Sequence, residues 1–126
     1  MRNALLSLVV GALTLWSGQA RAEDAETIAD VRCVLVGMKL VGMTDPAQRT
    51  AGIMVSMYYV GRLDGRAPKV DLETLLIKQL TIMTASDYGL EAKRCGAAVQ
   101  TRGQEITEIG KDMVEKGKKI SGEQAK

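Results

Sequence analysis

The sequence predicts an all-α fold: a small four-helix bundle or orthogonal helical array stapled by one disulfide. Three observations support this prediction. Apolar residues recur at steps of three and four in four successive stretches, residues that cap helices precede most of these stretches, and the chain of 126 residues has only two cysteines, Cys33 and Cys95. No two stretches alternate in the way that paired strands require.

The first 22 residues have the three parts of a secretory signal peptide. Arg2 is followed by an apolar run from Ala4 to Trp16 and then by small residues at Ala20 and Ala22. We expect cleavage after Ala22, with cleavage after Ala20 as the alternative. Residues 23–126 are then a single helical domain with a frayed basic C-terminal end. It has no lipid-anchor cysteine at its start and no stretch near the roughly 20 apolar residues of a membrane span. A periplasmic or secreted protein without a membrane anchor is predicted.

Charge argues against a nucleic-acid partner. The chain has 17 basic and 15 acidic residues, and the predicted signal peptide contains two of the basic ones and no acid. The remaining 15 basic and 15 acidic residues balance, so no basic surface is expected from composition.

The cysteine pair predicts a disulfide, because an isolated pair in an oxidising compartment is normally cross-linked. A bond between Cys33 and Cys95 would close a long loop of the chain and stabilise the fold by about 4 kcal/mol. There is no Cys-x-x-Cys spacing, and the chain contains 0 histidines. A metal or redox role for Cys33 and Cys95 is therefore not expected, and no metal ligands are predicted.

The first helix is predicted over about Thr27 to Val41. Its apolar positions keep helical spacing: Ile28, Val31, Leu35 and Met38. Several β-branched valines and two glycines, Gly37 and Gly42, leave a strand-like segment open as the alternative.

The second helix is predicted from Asp45, a good N-cap, to Asp64 and Gly65, with Pro46 at the first helical position. The apolar stripe expected to face the core consists of Ala47, Ala51, Met54, Val55 and Tyr58. Gly61 weakens a helix, so we expect another backbone to approach it closely. Gly65 is a candidate left-handed cap, and Pro68 follows it.

The third helix is predicted to begin at the cap Asp71 and to present a row of leucines to the core. Its apolar face consists of Leu72, Leu75, Leu76, Leu80 and Met83. The fourth helix has its cap signal at Ser86 and Asp87. From Tyr88 a seam runs at alternating steps of four and three through Cys95, Val99, Arg102, Ile106, Ile109 and Met113. Lys116, Lys118 and Lys119, with Gly117 and Gly122, predict the frayed end.

Catalytic chemistry is not predicted, and no cofactor is expected. Without histidine, Ser-His-Asp and Cys-His sites and histidine-ligated zinc are excluded. A carboxylate pair of Asp64 with Asp71 or Glu73 is the remaining hydrolase alternative, but helix capping explains these residues better. The spacing of Gly61 and Gly65 lacks the Lys-Ser/Thr of a phosphate loop. We expect a protein that is not an enzyme.

Methionines give the chain its most distinctive apolar surface candidates. Methionine is flexible and polarisable, so it suits adaptable core filling, which we expect here, or alternatively a surface that binds varied partners. The candidate binding residues are Met38, Met43, Met54, Met57, Tyr58, Tyr59, Gly61, Arg62, Asp64 and Gly65.

The layout resembles two groups of small periplasmic helical proteins with one disulfide, the HdeA/HdeB-type acid-stress chaperones and the Tai-type immunity proteins. The matching elements span Cys33 to Ala98: the exported leader before them, the two cysteines, and a Tyr-x-x-Gly-x-x-Asp-Gly stretch formed by Tyr58, Gly61, Asp64 and Gly65. The chain is also similar to uncharacterised exported proteins of α-proteobacteria, which would imply no function.

The chaperone resemblance implies a protein that loosens at low pH and exposes apolar surface to unfolding clients. The immunity resemblance implies a dimer that binds a cognate toxin through an exposed loop, here Asp64 to Val70. The chain departs from the chaperone pattern in its longer last helix and in having no Phe. We therefore expect a non-catalytic exported protein that acts by binding an unknown protein partner or client, chaperone-like, with an immunity protein as the alternative and a homodimer left open.

Overall fold

A computed structural model describes residues 24–124, which form four helices: α1 (Ala25–Val41), α2 (Pro46–Arg66), α3 (Leu72–Ile82) and α4 (Ala85–Gln124). The all-α prediction is confirmed, and the described range contains no strand. The strand alternative for the first segment is wrong, because α1 is helical throughout. The predicted signal peptide lies outside the described residues. Among the helices of residues 24–124, none combines the length and apolarity needed to cross a membrane.

Aspartate side chains cap the first three helices. Asp24 accepts a hydrogen bond from the Thr27 backbone N–H at 2.7 Å, so α1 begins two residues before the predicted start. Asp45 accepts from the Ala47 N–H at 2.8 Å. These bonds satisfy backbone donors that have no partner within the helix.

The start of α4 is a reciprocal cap between Thr84 and Asp87. The Thr84 N–H donates to the Asp87 carboxylate at 2.8 Å, and the Asp87 N–H donates to the Thr84 hydroxyl at 3.2 Å. This pairing is a capping box. The sequence located the cap at Ser86 and Asp87; Asp87 does take part, but Thr84 stands at the N-cap position.

The core is built around α1, which packs against each of the other three helices. Val31 and Cys33 of α1 are fully buried, and side chains from α2, α3 and α4 meet them. The other members of the core cluster are Val34, Val55, Tyr59, Leu63, Leu75 and Cys95. The disulfide between Cys33 and Cys95 forms as predicted, with Cα atoms 5.6 Å apart, and it joins α1 to α4.

The backbones of α1 and α2 approach each other most closely at Gly37 and Gly52. A Cβ on Gly52 would lie 2.6 Å from the Gly37 carbonyl oxygen and 2.7 Å from the Val41 nitrogen. The expectation of a close approach at Gly61 is wrong, because a Cβ there would meet nothing within 4 Å. The two helices can cross at this distance only because neither glycine has a side chain.

This crossing rotates the core face of α2 relative to the predicted stripe. The buried residues of α2 are Gly52, Val55, Tyr59 and Leu63. Ala47, Ala51 and Met54, which the stripe placed in the core, are exposed. The prediction of the stripe relied on large apolar side chains. The residue of α2 that comes closest to α1 is Gly52, which has no side chain and so gives no apolar signal in the sequence.

The end of α2 also differs from the prediction. The helix continues through Gly65 to Arg66, and the Ala67 N–H donates to the Leu63 carbonyl at 2.7 Å. Gly65 is therefore not a left-handed cap; none of the glycines in residues 24–124 has a positive φ. The proposed binding loop from Asp64 to Val70 is therefore only partly a loop. Its first residues are the last turn of α2, and the rest form the short connection to α3.

The helix α4 is 40 residues long, which corresponds to about 60 Å. Only its first part is covered by other helices: Cys95 is buried and Ala98 and Val99 pack against the core, whereas residues 100–122 are all exposed. We call α1, α2, α3 and α4 up to Val99 the head, and residues 100–122 the distal arm. The arm stays helical through Gly117 and Gly122, where the sequence predicted fraying.

Candidate functional site

A charged cluster lies between α1 and α2. The carboxylate of Asp30 is 2% exposed and accepts hydrogen bonds from Arg62 Nε at 3.1 Å and from Arg66 Nη2 at 2.8 Å. Arg66 Nη1 also pairs with Glu26 at 2.9 Å. A buried carboxylate is costly unless it is paired and hydrogen-bonded, and the two guanidinium groups meet both needs. The cluster therefore locks α2 onto α1.

Tyr58 and Tyr59 extend this lock. Their rings meet edge to face with centroids 4.9 Å apart, and the guanidinium carbon of Arg62 lies 5.8 and 5.6 Å from the two centroids. Hydrogen bonding to Tyr58, and then to Asp30, raises the pKa of Arg62. Tyr59 is buried, which raises the pKa of its phenol, and its hydroxyl donates to the Cys95 carbonyl at 3.4 Å. Tyr58, Tyr59 and Arg62 thus hold helices together.

A second polar network surrounds the disulfide. Arg94 Nη2 donates to the Ala29 carbonyl at 2.7 Å and lies 2.9 Å from Cys33 Sγ. Glu91 pairs with Arg94 at 2.6 Å and with Arg32 at 3.6 Å. Arg32 in turn donates to the buried Gln79 of α3 at 2.9 Å. The network connects α1, α3 and α4 around the cross-link.

One group of possible metal ligands occurs within residues 24–124, and it consists of Cys33, Glu91 and Cys95. Both sulfur atoms are joined in the disulfide, so neither is the thiolate that a metal binds. Glu91 is already paired with two arginines. The arrangement suits the polar network around the disulfide and not a metal.

The carboxylates that the sequence proposed as a hydrolytic pair have separate roles. Asp71 caps α3, accepting from the backbone N–H of Thr74 at 3.1 Å and from its hydroxyl at 2.8 Å. These bonds lower the pKa of Asp71, and equivalent bonds from Thr27 and Thr84 lower those of Asp24 and Asp87. Asp64 is exposed on α2, and Glu73 is exposed in the first turn of α3. A carboxylate held ionised by capping bonds is poorly suited to act as a general acid.

The four methionines among the candidate binding residues are on the surface. Met57 is 71% exposed, Met54 57%, Met38 54% and Met43 38%. The interpretation of these residues as core filling is therefore wrong, because the turn of α2 that places Tyr59 against α1 points Met54 and Met57 away from it. Helical spacing puts several of the predicted binding residues on the side of α2 opposite its buried residues. We call this surface the α2 outer face; it consists of Ile53, Met54, Met57, Gly61, Asp64 and Gly65.

Met38 belongs to a different surface, an apolar groove between α1 and α3. The groove has a volume of about 400 Å³ and is lined by Leu35, Met38, Leu72, Glu73, Leu76, Ile77 and Leu80. Met43 lies in the turn that follows α1. The ten candidate residues are thus divided among an outward face, a groove, a turn and the lock around Asp30.

Sequence reasoning missed two features. Ile53, 51% exposed, adds to the α2 outer face but fell outside the predicted stripe. Glycines also recur at every seventh position of α4, and this signal was visible in the sequence: Gly89, Gly96, Gly103, Gly110 and Gly117.

Comparison of the chain with models of protein families, with curated proteins and with solved structures found no match.

Proposed function

We propose that this chain is a non-catalytic exported protein that holds apolar segments of other polypeptides on its α2 outer face, in a chaperone-like role. The observation that supports this most directly is the exposure of Ile53, Met54 and Met57, at 51%, 57% and 71%, on one side of one helix. Each side chain would lose unfavourable contact with water when an apolar segment covers it.

The chemistry of this face suits varied partners. Methionine has three rotatable bonds and a polarisable sulfur, so neighbouring methionines can repack around segments of different shape. Gly61 has open space around it, which lets a bound backbone come close to the helix. Asp64 is the one ionisable residue of the face. Low charge and adaptable side chains favour apolar segments over one defined epitope.

The head beneath this face is well fixed. The Asp30 cluster and the Gly37–Gly52 contact hold α2 against α1, and the disulfide holds α4 against α1. A fixed scaffold keeps the exposed methionines from collapsing inwards, which supports their use in binding. The disulfide also supports export, because such bonds persist in oxidising compartments.

The resemblance to acid-stress chaperones implied that the apolar surface appears only in acid. Here the α2 outer face is exposed in the folded head, so our proposal includes client binding at neutral pH. Acid would protonate carboxylates and leave the basic residues unbalanced, which loosens the head and adds apolar surface to a face that is already open.

The experiment follows the aggregation of citrate synthase unfolded by heat at pH 7 and of malate dehydrogenase at pH 3, by light scattering. The wild-type protein should suppress aggregation, and Met54→Gln with Met57→Gln should lose most of that suppression. Ile82→Gln with Leu90→Gln is the matched control, since these side chains are 56% and 65% exposed but lie on α3 and α4.

Three results would reject the proposal. The first is that the wild-type protein suppresses aggregation neither at pH 7 nor at pH 3. The second is that the methionine variant and the control variant lose equal amounts of that suppression. A saturable one-to-one complex with a single periplasmic protein, without any client protection, would instead favour the immunity alternative.

A further inference from the structure

The distal arm carries an apolar seam that nothing in the described chain covers. Along α4 the seam repeats every seven residues, with one position occupied by Val99, Ile106, Met113 and Ile120 and the other by Cys95, Arg102, Ile109 and Lys116. In heptad notation these are positions a and d. Ile106, Ile109, Met113 and Ile120 are 61%, 57%, 67% and 57% exposed. Such a seam is typical of a helix that packs against another helix.

The two flanks of this seam differ in chemistry. Position e is glycine in every heptad of the arm, at Gly103, Gly110 and Gly117, and a Cβ at any of them would meet nothing within 4 Å. Position g carries charges: Glu105, Asp112 and Lys119. One flank therefore allows close approach of a second backbone, and the other can select a partner by charge.

We propose that the arm binds the arm of a second copy of this chain, antiparallel, so that Ile109 lies against the partner's Met113 and Ile106 against the stem of the partner's Lys116. In an antiparallel pair each a residue of one helix faces a d residue of the other, so the two residue numbers always have the same sum. In this register that sum is about 222. The pair is centred near residue 111. Each tip then reaches the base of the other arm, near Val99, and the whole exposed seam is covered.

Charge complementarity identifies the partner as a second, antiparallel copy. In an antiparallel pair the g positions face each other, which places Glu105 opposite the partner's Lys119, and the twofold symmetry makes this pair twice. The same register sets Gly103 opposite the partner's Gly117 and Gly110 opposite its own copy. Only Asp112 meets a like charge, its own copy. In a parallel pair each g charge would face a glycine at e, and no ion pair would form.

The first experiment measures self-association by sedimentation equilibrium at 1 to 200 µM. The full chain is expressed in a bacterium, and the protein is purified in the form that remains after any processing by the cell. The wild-type protein should be a dimer, and Ile109→Glu should be a monomer that keeps the helical circular dichroism of the head. Ile77→Glu is the matched control, because Ile77 is 56% exposed but lies on α3; this variant should dimerise like the wild type.

The second experiment tests the register by charge reversal. Glu105→Lys or Lys119→Glu alone would create two like-charge contacts and should weaken the dimer roughly tenfold, whereas the double variant should restore most of the affinity. The double variant does not restore the intrahelical ion pairs of Glu105 with Arg102 and of Lys119 with Glu115, so rescue reports only on contacts between chains. Asp112→Asn should tighten the dimer.

Several outcomes would overturn the inference. A wild-type protein that stays monomeric to 200 µM would do so, as would a dimer that Ile109→Glu leaves intact. Single reversals without loss, or a double variant without rescue, would exclude the antiparallel register. Binding of the monomer to vesicles of anionic phospholipid, lost in Ile109→Glu, would assign the seam to a membrane surface.

Discussion

The head and the distal arm share one helix and one sequence pattern, but differ in what covers it. Cys95 is fully buried, whereas Ile106, the third seam residue after Cys95, is 61% exposed. The lengths of the helices explain the difference: α2 has 21 residues, about 32 Å, and α4 has 40, about 60 Å. Once α1 and α2 have packed against the first part of α4, no other helix of residues 24–124 covers the rest. Periodicity predicts which side chains share a face, but not whether the chain can bury that face.

The two regions should also differ in how they are stabilised. The head has a core, a cross-link and two ion-pair networks, whereas the arm has only its own backbone bonds and exposed ion pairs. Four glycines in the arm each cost about 1 kcal/mol relative to alanine. Helices without tertiary packing are marginal in water, so the arm depends on the head at one end and, in our proposal, on a second arm along its length.

The largest effect in this comparison should come from the disulfide. Replacing Cys33 and Cys95 together by alanine should lower the free energy of unfolding of the head by about 4 kcal/mol, because the unfolded chain regains the freedom of a loop with a sequence separation of 62. Urea unfolding followed by circular dichroism measures this change. Reducing the wild-type protein with dithiothreitol is the control and should give the same loss; a loss below about 1 kcal/mol would show that packing alone holds α4 to α1.

A smaller effect, of opposite sign at two positions, should come from glycines on α2. Gly52→Ala places a methyl group 2.6 Å from the Gly37 carbonyl oxygen and should destabilise the head by about 3 kcal/mol, since backbone atoms must move. Gly61→Ala meets nothing within 4 Å and should stabilise it by about 0.5 to 1 kcal/mol through helix propensity. Urea unfolding of both variants checks the pair. If Gly52→Ala leaves the free energy of unfolding unchanged, the crossing point of α1 and α2 is not where the structure has it.

The sequence was enough to predict four helices, most of their caps and the cross-link, because these depend on local patterns and on one pair of residues. It did not predict the core face of α2, since Gly52 makes the closest contact without any apolar signal. It did not predict Asp30 as a buried charge, because its partners, Arg62 and Arg66, are more than 30 positions away. The exposure of Met54 and Met57 followed from the same rotation of α2, which only the packed structure contains.

The smallest predicted effect separates a buried ion pair of the head from an exposed one of the arm. Asp30→Asn should cost about 2 kcal/mol, because two charge-assisted hydrogen bonds are weakened at a site 2% exposed and the neighbouring guanidinium groups lose their counter-ion. Water reaching Arg62, 41% exposed, keeps the cost below that of a fully buried pair. Glu115→Gln breaks the arm's pair with Lys119, where both side chains are about 70% exposed, and should cost at most about 0.5 kcal/mol. Urea unfolding of both variants at micromolar concentration tests this. Equal losses would mean that solvent, and not α2, surrounds Asp30, and the distinction between a locked head and an open arm would then rest on the core and the disulfide.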